Sequence, residues 1–114
     1  MTRVYKILPA ADWAQALAAG RYEGSALDKA DGFIHLSTAG QAQETARRHF
    51  AGQAGLVIVA FEAERLGQAL KWEPSRGGDP FPHHYGSLDC ALAQSTEPAP
   101  LAPDGVPALP PLRP

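Results

Sequence analysis

The run Asp31-Gly-Phe-Ile-His-Leu-Ser-Thr38 sets an imidazole inside a short apolar stretch and follows it with two hydroxyls. Read as a strand, it sends successive side chains to opposite faces. Phe33, His35 and Ser37 then share one face, while Ile34 and Leu36 point the other way. An imidazole and a hydroxyl side by side at a strand end can hold a polar ligand. Thr38 lies where the strand gives way to a helix, so unpaired backbone N–H groups and the positive end of that helix favour an anion or a ribose there. The competing reading makes His35 a packed histidine that donates to a backbone carbonyl.

A second segment, Trp72-Glu-Pro-Ser-Arg-Gly-Gly-Asp-Pro-Phe-Pro-His-His-Tyr-Gly86, gathers a carboxylate, a guanidinium, two imidazoles and a phenol. Pro74 restrains Glu73 to an extended backbone at a strand end, a rigid support from which side chains can act. Arg76 stands beside Gly77 and Gly78, which let backbone N–H groups converge, and its planar donor fork suits phosphate or carboxylate. Each also has a plainer reading, Glu73 as a solvated edge carboxylate and Arg76 as an exposed residue of a glycine turn. Residues 80–86 are expected to form a loop stiffened by Pro80 and Pro82, with at most one of His83 and His84 facing any site. Tyr85 can stack on a flat ring or bond through its hydroxyl.

Histidines near Glu73 raise the question of zinc. Neither His-x-x-x-His nor Cys-x-x-Cys spacing is present, so no metal site is expected. His49 reads as a favourable charge near the negative end of a helix. A nucleophile elbow, a phosphate-binding lysine loop and a dinucleotide glycine fingerprint are all missing.

The elements that must carry these groups can be sketched from pattern. Val4 to Leu8 alternates as a first strand ended by Pro9. Asp12, with Gln15 three residues on, is expected to cap a helix bearing Trp13, Ala16 and Leu17, stopped at Gly20. Residues 21–31 read as a polar loop. Thr38 with Gln41 predicts a helix from Ala39 to Phe50, inward at Ala42 and Ala46. Leu56 to Phe61 is a continuous apolar run, expected to be a strand buried on both faces. One helical turn at Ala63 to Leu66, a strand at Leu70 to Glu73 and a last strand at Leu88 to Gln94 complete the sketch. The pattern lacks regular βαβ alternation, so the fold class is α+β: two short helices on a twisted sheet, mixed or largely antiparallel.

At 114 residues the chain makes one domain, and 10 Lys and Arg against 12 Asp and Glu leave no basic field for nonspecific nucleic-acid binding. The domain is expected over residues 1–96. Seven of the 11 prolines fall in residues 97–114, a terminal tail that either packs along the domain or hangs free. Cys90 has no partner for a disulfide and sits in an apolar stretch, so it reads as a packing residue in a reducing compartment. With neither a signal-like N-terminus nor a long apolar span, the expected location is the cytoplasm, away from membranes. The oligomeric state is left open.

Tyr5-Lys6, Ser25-Ala-Leu-Asp28, Gly32-Phe-Ile-His-Leu-Ser-Thr38, Leu66-Gly67, Trp72-Glu-Pro-Ser-Arg-Gly-Gly78, Phe81-Pro-His83 and Tyr85-Gly86 recur in order. In these the chain closely resembles the bacterial family called domain of unknown function 952, over about residues 3 to 93. That family in turn looks distantly related to the ADP-ribosyltransferase-like fold, which includes the RNA 2′-phosphotransferases. The resemblance implies a split sheet whose cleft accommodates NAD. It implies that His35, with Ser37 or Thr38, holds a ribose, that Tyr85 flanks the nicotinamide, and that Glu73 binds the ribose 2′-hydroxyl. Arg76 and His83 are chemically similar to the Arg and His residues on which the phosphotransferases depend.

The expectation is therefore a small protein binding NAD, or another ADP-ribosyl or phosphorylated nucleotide, as substrate rather than as resident cofactor. If it is an enzyme, its chemistry would be ADP-ribosyl or phosphoryl transfer. Cleavage at the nicotinamide–ribose carbon leaves positive charge on the ribose. A carboxylate such as Glu73 would stabilise that charge, an effect worth about 100- to 1,000-fold in rate. The alternative is a non-catalytic small-ligand-binding or regulatory module using the same pocket. A third reading reduces His35, Trp72 and Tyr85 to packing.

Overall fold

Two neighbouring strands with alternating inward faces organise the molecule. The computed structural model describes residues 1–114. In chain order its elements are β1 (Arg3–Pro9), α1 (Ala10–Ala19), β2 (Arg21–Tyr22), α2 (Ala26–Asp31), β3 (Ile34–His35), α3 (Ala39–His49), β4 (Leu56–Glu62), α4 (Ala63–Leu66), β5 (Leu70–Pro74), β6 (Pro80–His84), β7 (Leu88–Asp89) and β8 (Ala93–Ala99). The strands pair as β1-β4-β8, β2-β7 and β3-β6-β5. Every pairing is antiparallel. The α+β class holds, and of the two sheet types expected it is the antiparallel one that forms.

β4 lies between β1 and β8, so its apolar run is buried on both faces, as expected. The register sets Val4 opposite Phe61, Lys6 opposite Val59 and Leu8 opposite Val57. Val4, Leu8, Val59 and Phe61 pack with Trp13 and Ala16 of α1 in the larger core. Tyr5, Ile7, Ile58 and Ala60 turn to the other face, against Ala42 and Ala46 of α3. Lys6 thus belongs by period to an oily face. The segment after β3 ties the sheets together: Tyr5 N–H donates to the Ser37 carbonyl at 2.8 Å and Ser37 N–H to the Tyr5 carbonyl at 2.9 Å.

Several local expectations are corrected. α1 starts at Ala10 behind Pro9, with no side-chain cap, so Asp12 lies inside its first turn. Proline's fixed φ suits the entry to a helix, and that outweighed the capping pattern. Gly20 does end α1, in the left-handed conformation. Residues 21–31 are not a loop: β2 and α2 lie there, and Ser25 caps α2. Residues 80–86 are not a loop either, since β6 runs from Pro80 to His84 as the middle strand of its sheet. Proline removes a donor but keeps its acceptor, and the Pro82 carbonyl accepts from Leu36 N–H at 3.1 Å. The expected strand at Leu88 to Gln94 is broken by a 3-10 turn at Cys90–Leu92, separating β7 from β8. Besides α1, α3 and the expected turn α4, one helix, α2, was not anticipated.

β8 crosses the expected boundary at residue 96, and Glu97 and Pro98 pair with Ile58 and Val57. Beyond it, Val106, Leu109 and Leu112 pack against the α3-side core. The Tyr5 hydroxyl donates to the Arg113 carbonyl at 2.6 Å and accepts from Arg113 N–H at 3.0 Å. Cys90 is buried and unpaired. No helix is long and apolar enough to cross a membrane.

Candidate functional site

The lysine on the oily face of β1 finds its counter-charge at the start of α2. Ser25 and Asp28 form a capping box: Asp28 N–H donates to Ser25 Oγ at 3.1 Å and Ser25 N–H donates to Asp28 Oδ2 at 2.9 Å. This fixes the Asp28 carboxylate inside the domain, 2% exposed. Lys6 Nζ donates to Asp28 Oδ2 at 2.8 Å and to the His35 carbonyl at 3.1 Å. The other carboxylate oxygen, Oδ1, accepts from His35 N–H at 3.0 Å and meets His35 Nδ1 at 2.6 Å. Burial alone would push the Asp28 carboxyl up, but the bonds from His35 and Lys6 outweigh it and hold the group well below the usual carboxylate range. Burial pulls Lys6 down despite Asp28. An ionised Asp28 can only accept, so His35 Nδ1 carries a hydrogen. His35 Nε2 meets Asp31 Oδ2 at 2.9 Å.

β3 and β6 pair with His35 directly opposite His83. Directly opposed residues share a face, and the two ring centroids are 5.8 Å apart. Phe33 lies between neighbours, stacked on His83 at 4.0 Å and tilted against His35 at 4.6 Å. Lys71 of β5 faces His83, which puts Glu73 on the diagonal. Glu73 Oε1 accepts from His83 Nδ1 at 2.8 Å and from the Tyr85 hydroxyl at 2.8 Å. These bonds, His83 first, lower the Glu73 pKa, and the same carboxylate raises that of Tyr85.

Four of the expected residues, His35, Ser37, Arg76 and His83, line a single cavity of about 340 Å³. Arg76 closes one side, its guanidinium 4.8 Å from the Phe81 ring and within 3.4 Å of Thr45 Oγ1. No carboxylate pairs with it. Ser37 Oγ shares a hydrogen bond with Thr45 Oγ1 at 2.9 Å. Thr38, Glu73 and Tyr85 are not in the lining. Thr38 serves α3, its N–H donating to Gln41 Oε1 at 3.1 Å. Glu73 and Tyr85 stand behind His83. Of the paired histidines, His83 faces the cavity, while His84 is buried elsewhere with Nδ1 donating to the Gly86 carbonyl at 3.0 Å. His49, read only as a helix-end charge, also reaches the lining.

Lys6, Asp28, Asp31 and Thr45 line the cavity too and were not among the expected site residues. A signal for the first two was present. A lysine in phase with Val4 and Leu8 demands a carboxylate, and Ser25-x-x-Asp28 is a capping pattern. No group of three or more His, Cys, Asp or Glu side chains is set to hold a metal ion.

The fold and cavity define a small antiparallel α+β domain with a pocket at the meeting of two sheets, largely apolar in its walls and bearing acidic, basic and imidazole side chains. Residues 7–95 match the family described as protein of unknown function DUF952, and the chain belongs to it. The crystal structure of protein CC0527 from Caulobacter crescentus is 57% identical, with 93% of each chain covered and a TM-score of 0.91. The solution NMR structure of the same protein is 57% identical over 94% of this chain and 92% of that one, with a TM-score of 0.84. No curated protein matches.

Proposed function

We propose that the cavity binds a phosphorylated nucleotide, of the ADP-ribosyl class or a simpler one, with Arg76 on a phosphate and His35 and Ser37 on the ribose. One observation carries this reading: His35, Ser37, Arg76 and His83, from segments about forty positions apart, line the same hollow. A guanidinium without a carboxylate partner, beside hydroxyls and imidazoles, is chemistry suited to phosphate oxygens. The volume lies in the range of small-ligand pockets. NAD would enter as substrate, with one half seated and the other extending from the mouth. Transfer of an ADP-ribosyl or phosphoryl group is the matching reaction, in a reducing, cytoplasmic setting consistent with the unpaired Cys90. Kinship of the family with the ADP-ribosyltransferase-like fold rests on the sequence resemblance.

The position of Glu73 changes its part in that reading. Bonded to His83 and Tyr85 outside the lining, it would act on a ligand through the imidazole rather than by touching a ribose. The runner-up, a non-catalytic module, uses the same pocket and the same phosphate contact. Calorimetric titration with NAD, ADP-ribose and 5′-AMP, with chromatography of the mixtures, distinguishes the two. Saturable binding is expected, weakened about tenfold or more by Arg76→Ala, since a hydrogen bond to a charged group is worth about 1.5–3 kcal/mol. Binding without any product favours the module. No saturable binding by any of the three would refute the proposal.

A further inference from the structure

We propose that His83 and His35 form an acid–base pair that hydrolyses a small cyclic phosphodiester, a nucleoside 2′,3′-cyclic phosphate, held by Arg76. The inference rests on the phosphate-binding reading of the cavity and names its reaction. Its ground is an asymmetry between two imidazoles whose rings are 5.8 Å apart in one cavity.

Both nitrogens of His35 meet carboxylates, Nδ1 at Asp28 and Nε2 at Asp31. Carboxylates accept, so both ring nitrogens are placed to donate and the ring is oriented as a proton donor. His83 differs. Its Nδ1 donates to Glu73, while Nε2 has no hydrogen-bond partner in the protein and is open to accept from water. It is not sealed off either, because no buried side-chain nitrogen or oxygen lacks a partner. One ring is thus set up as base and the other as acid, which is the pairing that ester hydrolysis at phosphorus requires. Glu73 is a positioning residue that fixes the His83 tautomer, and the Tyr85 hydroxyl steadies Glu73.

The step balances with water as co-reactant. His83 Nε2 takes a proton from water as its oxygen bonds to phosphorus. One ring P–O bond breaks, and its electron pair stays on the ribose oxygen, which takes the proton from His35 Nε2. Arg76 holds the non-bridging oxygens. Asp31, 44% exposed in its side chain, gives up its bond to Nε2 when substrate enters. Proton exchange with solvent then restores both rings. A formal net charge of −2 disfavours a long polynucleotide, and a cyclic ester keeps its leaving oxygen attached and fits a small cavity.

The test uses the full chain with 2′,3′-cyclic AMP followed by ³¹P NMR, alongside titration with 3′-AMP. The expected result is conversion to a monophosphate. His83→Asn and His35→Asn should each lower kcat about 100-fold or more, with KM changed only a few-fold. Should the buried His83 variant fail to fold, Glu73→Ala carries the point. It should lower kcat more than KM, and the ¹⁵N shifts of His83 should move from one Nδ1–H tautomer toward a mixture. Binding of 3′-AMP without turnover overturns the acid–base pair and leaves the cavity reading standing. Turnover that survives the histidine substitutions overturns it as well. No binding of either nucleotide removes both.

Discussion

Asp28 holds three partners in register: the Ser25 backbone, the Lys6 ammonium and the His35 ring. Its replacement by asparagine would leave Lys6 buried without a counter-charge. Removing one member of a buried pair costs about 3–5 kcal/mol, and Asp28→Asn should lower the urea-unfolding free energy by that order. A loss under about 1 kcal/mol would mean that the ammonium finds water and that the pair is not what positions His35. The sequence announced His35, Ser37, Arg76 and His83 through residue type alone. Asp28 was passed over because residues 21–31 read as a polar loop, although its spacing from Ser25 and the apolar phase of Lys6 carried the signal. The sequence also overstated Glu73, because a side chain at a strand end can point toward a cavity or behind a neighbour, and only the β5–β6 register decides.

At the scale of elements, the entry to α2 is the tightest joint. Gly24 has φ +111, and a Cβ there would sit 2.9 Å from Asp28 Cβ. Gly24→Ala should therefore destabilise the protein by about 1–3 kcal/mol, from backbone strain and the displaced carboxylate. Denaturation would show it as a lower midpoint. An unchanged midpoint would contradict the close approach. Helix α3 and strand β4 were legible because capping and apolar runs are local signals. β6 was not, since two prolines argue against a central strand unless the missing donors are ones the sheet does not need. That condition is set by the neighbours, not by the segment.

For the whole molecule, titration gives a signed expectation. Burial holds the His84 pKa below its usual value of about 6.5, so the unfolded chain binds that proton more readily. Its contribution to stability is present above about pH 6.5 and fades as pH falls below that. Asp28, also depressed, contributes above its ordinary value of about 3.9 and loses that as acid deepens. Tm should thus fall from pH 7 toward pH 3, first below about 6.5 and more steeply below about 4, with His84→Gln flattening the upper part. A Tm that rises or stays level on acidification would contradict both assignments. The same scale explains the terminal segment: prolines after Ala99 cannot extend a sheet, yet Val106, Leu109 and Leu112 cover the core face beside α3.

The amino-acid order alone determined the α+β class, the central doubly buried strand, the capped third helix and the imidazole, hydroxyl and guanidinium that a phosphate site would use. Each of these is written within a dozen neighbouring residues, where period and capping act. The tertiary structure decided that His35 faces His83 across a strand pair, that Glu73 stands behind rather than inside, and that Lys6 and Asp28 meet at all. Those facts depend on register and on desolvation. Both come into being only when distant segments close on one another and expel the water between them.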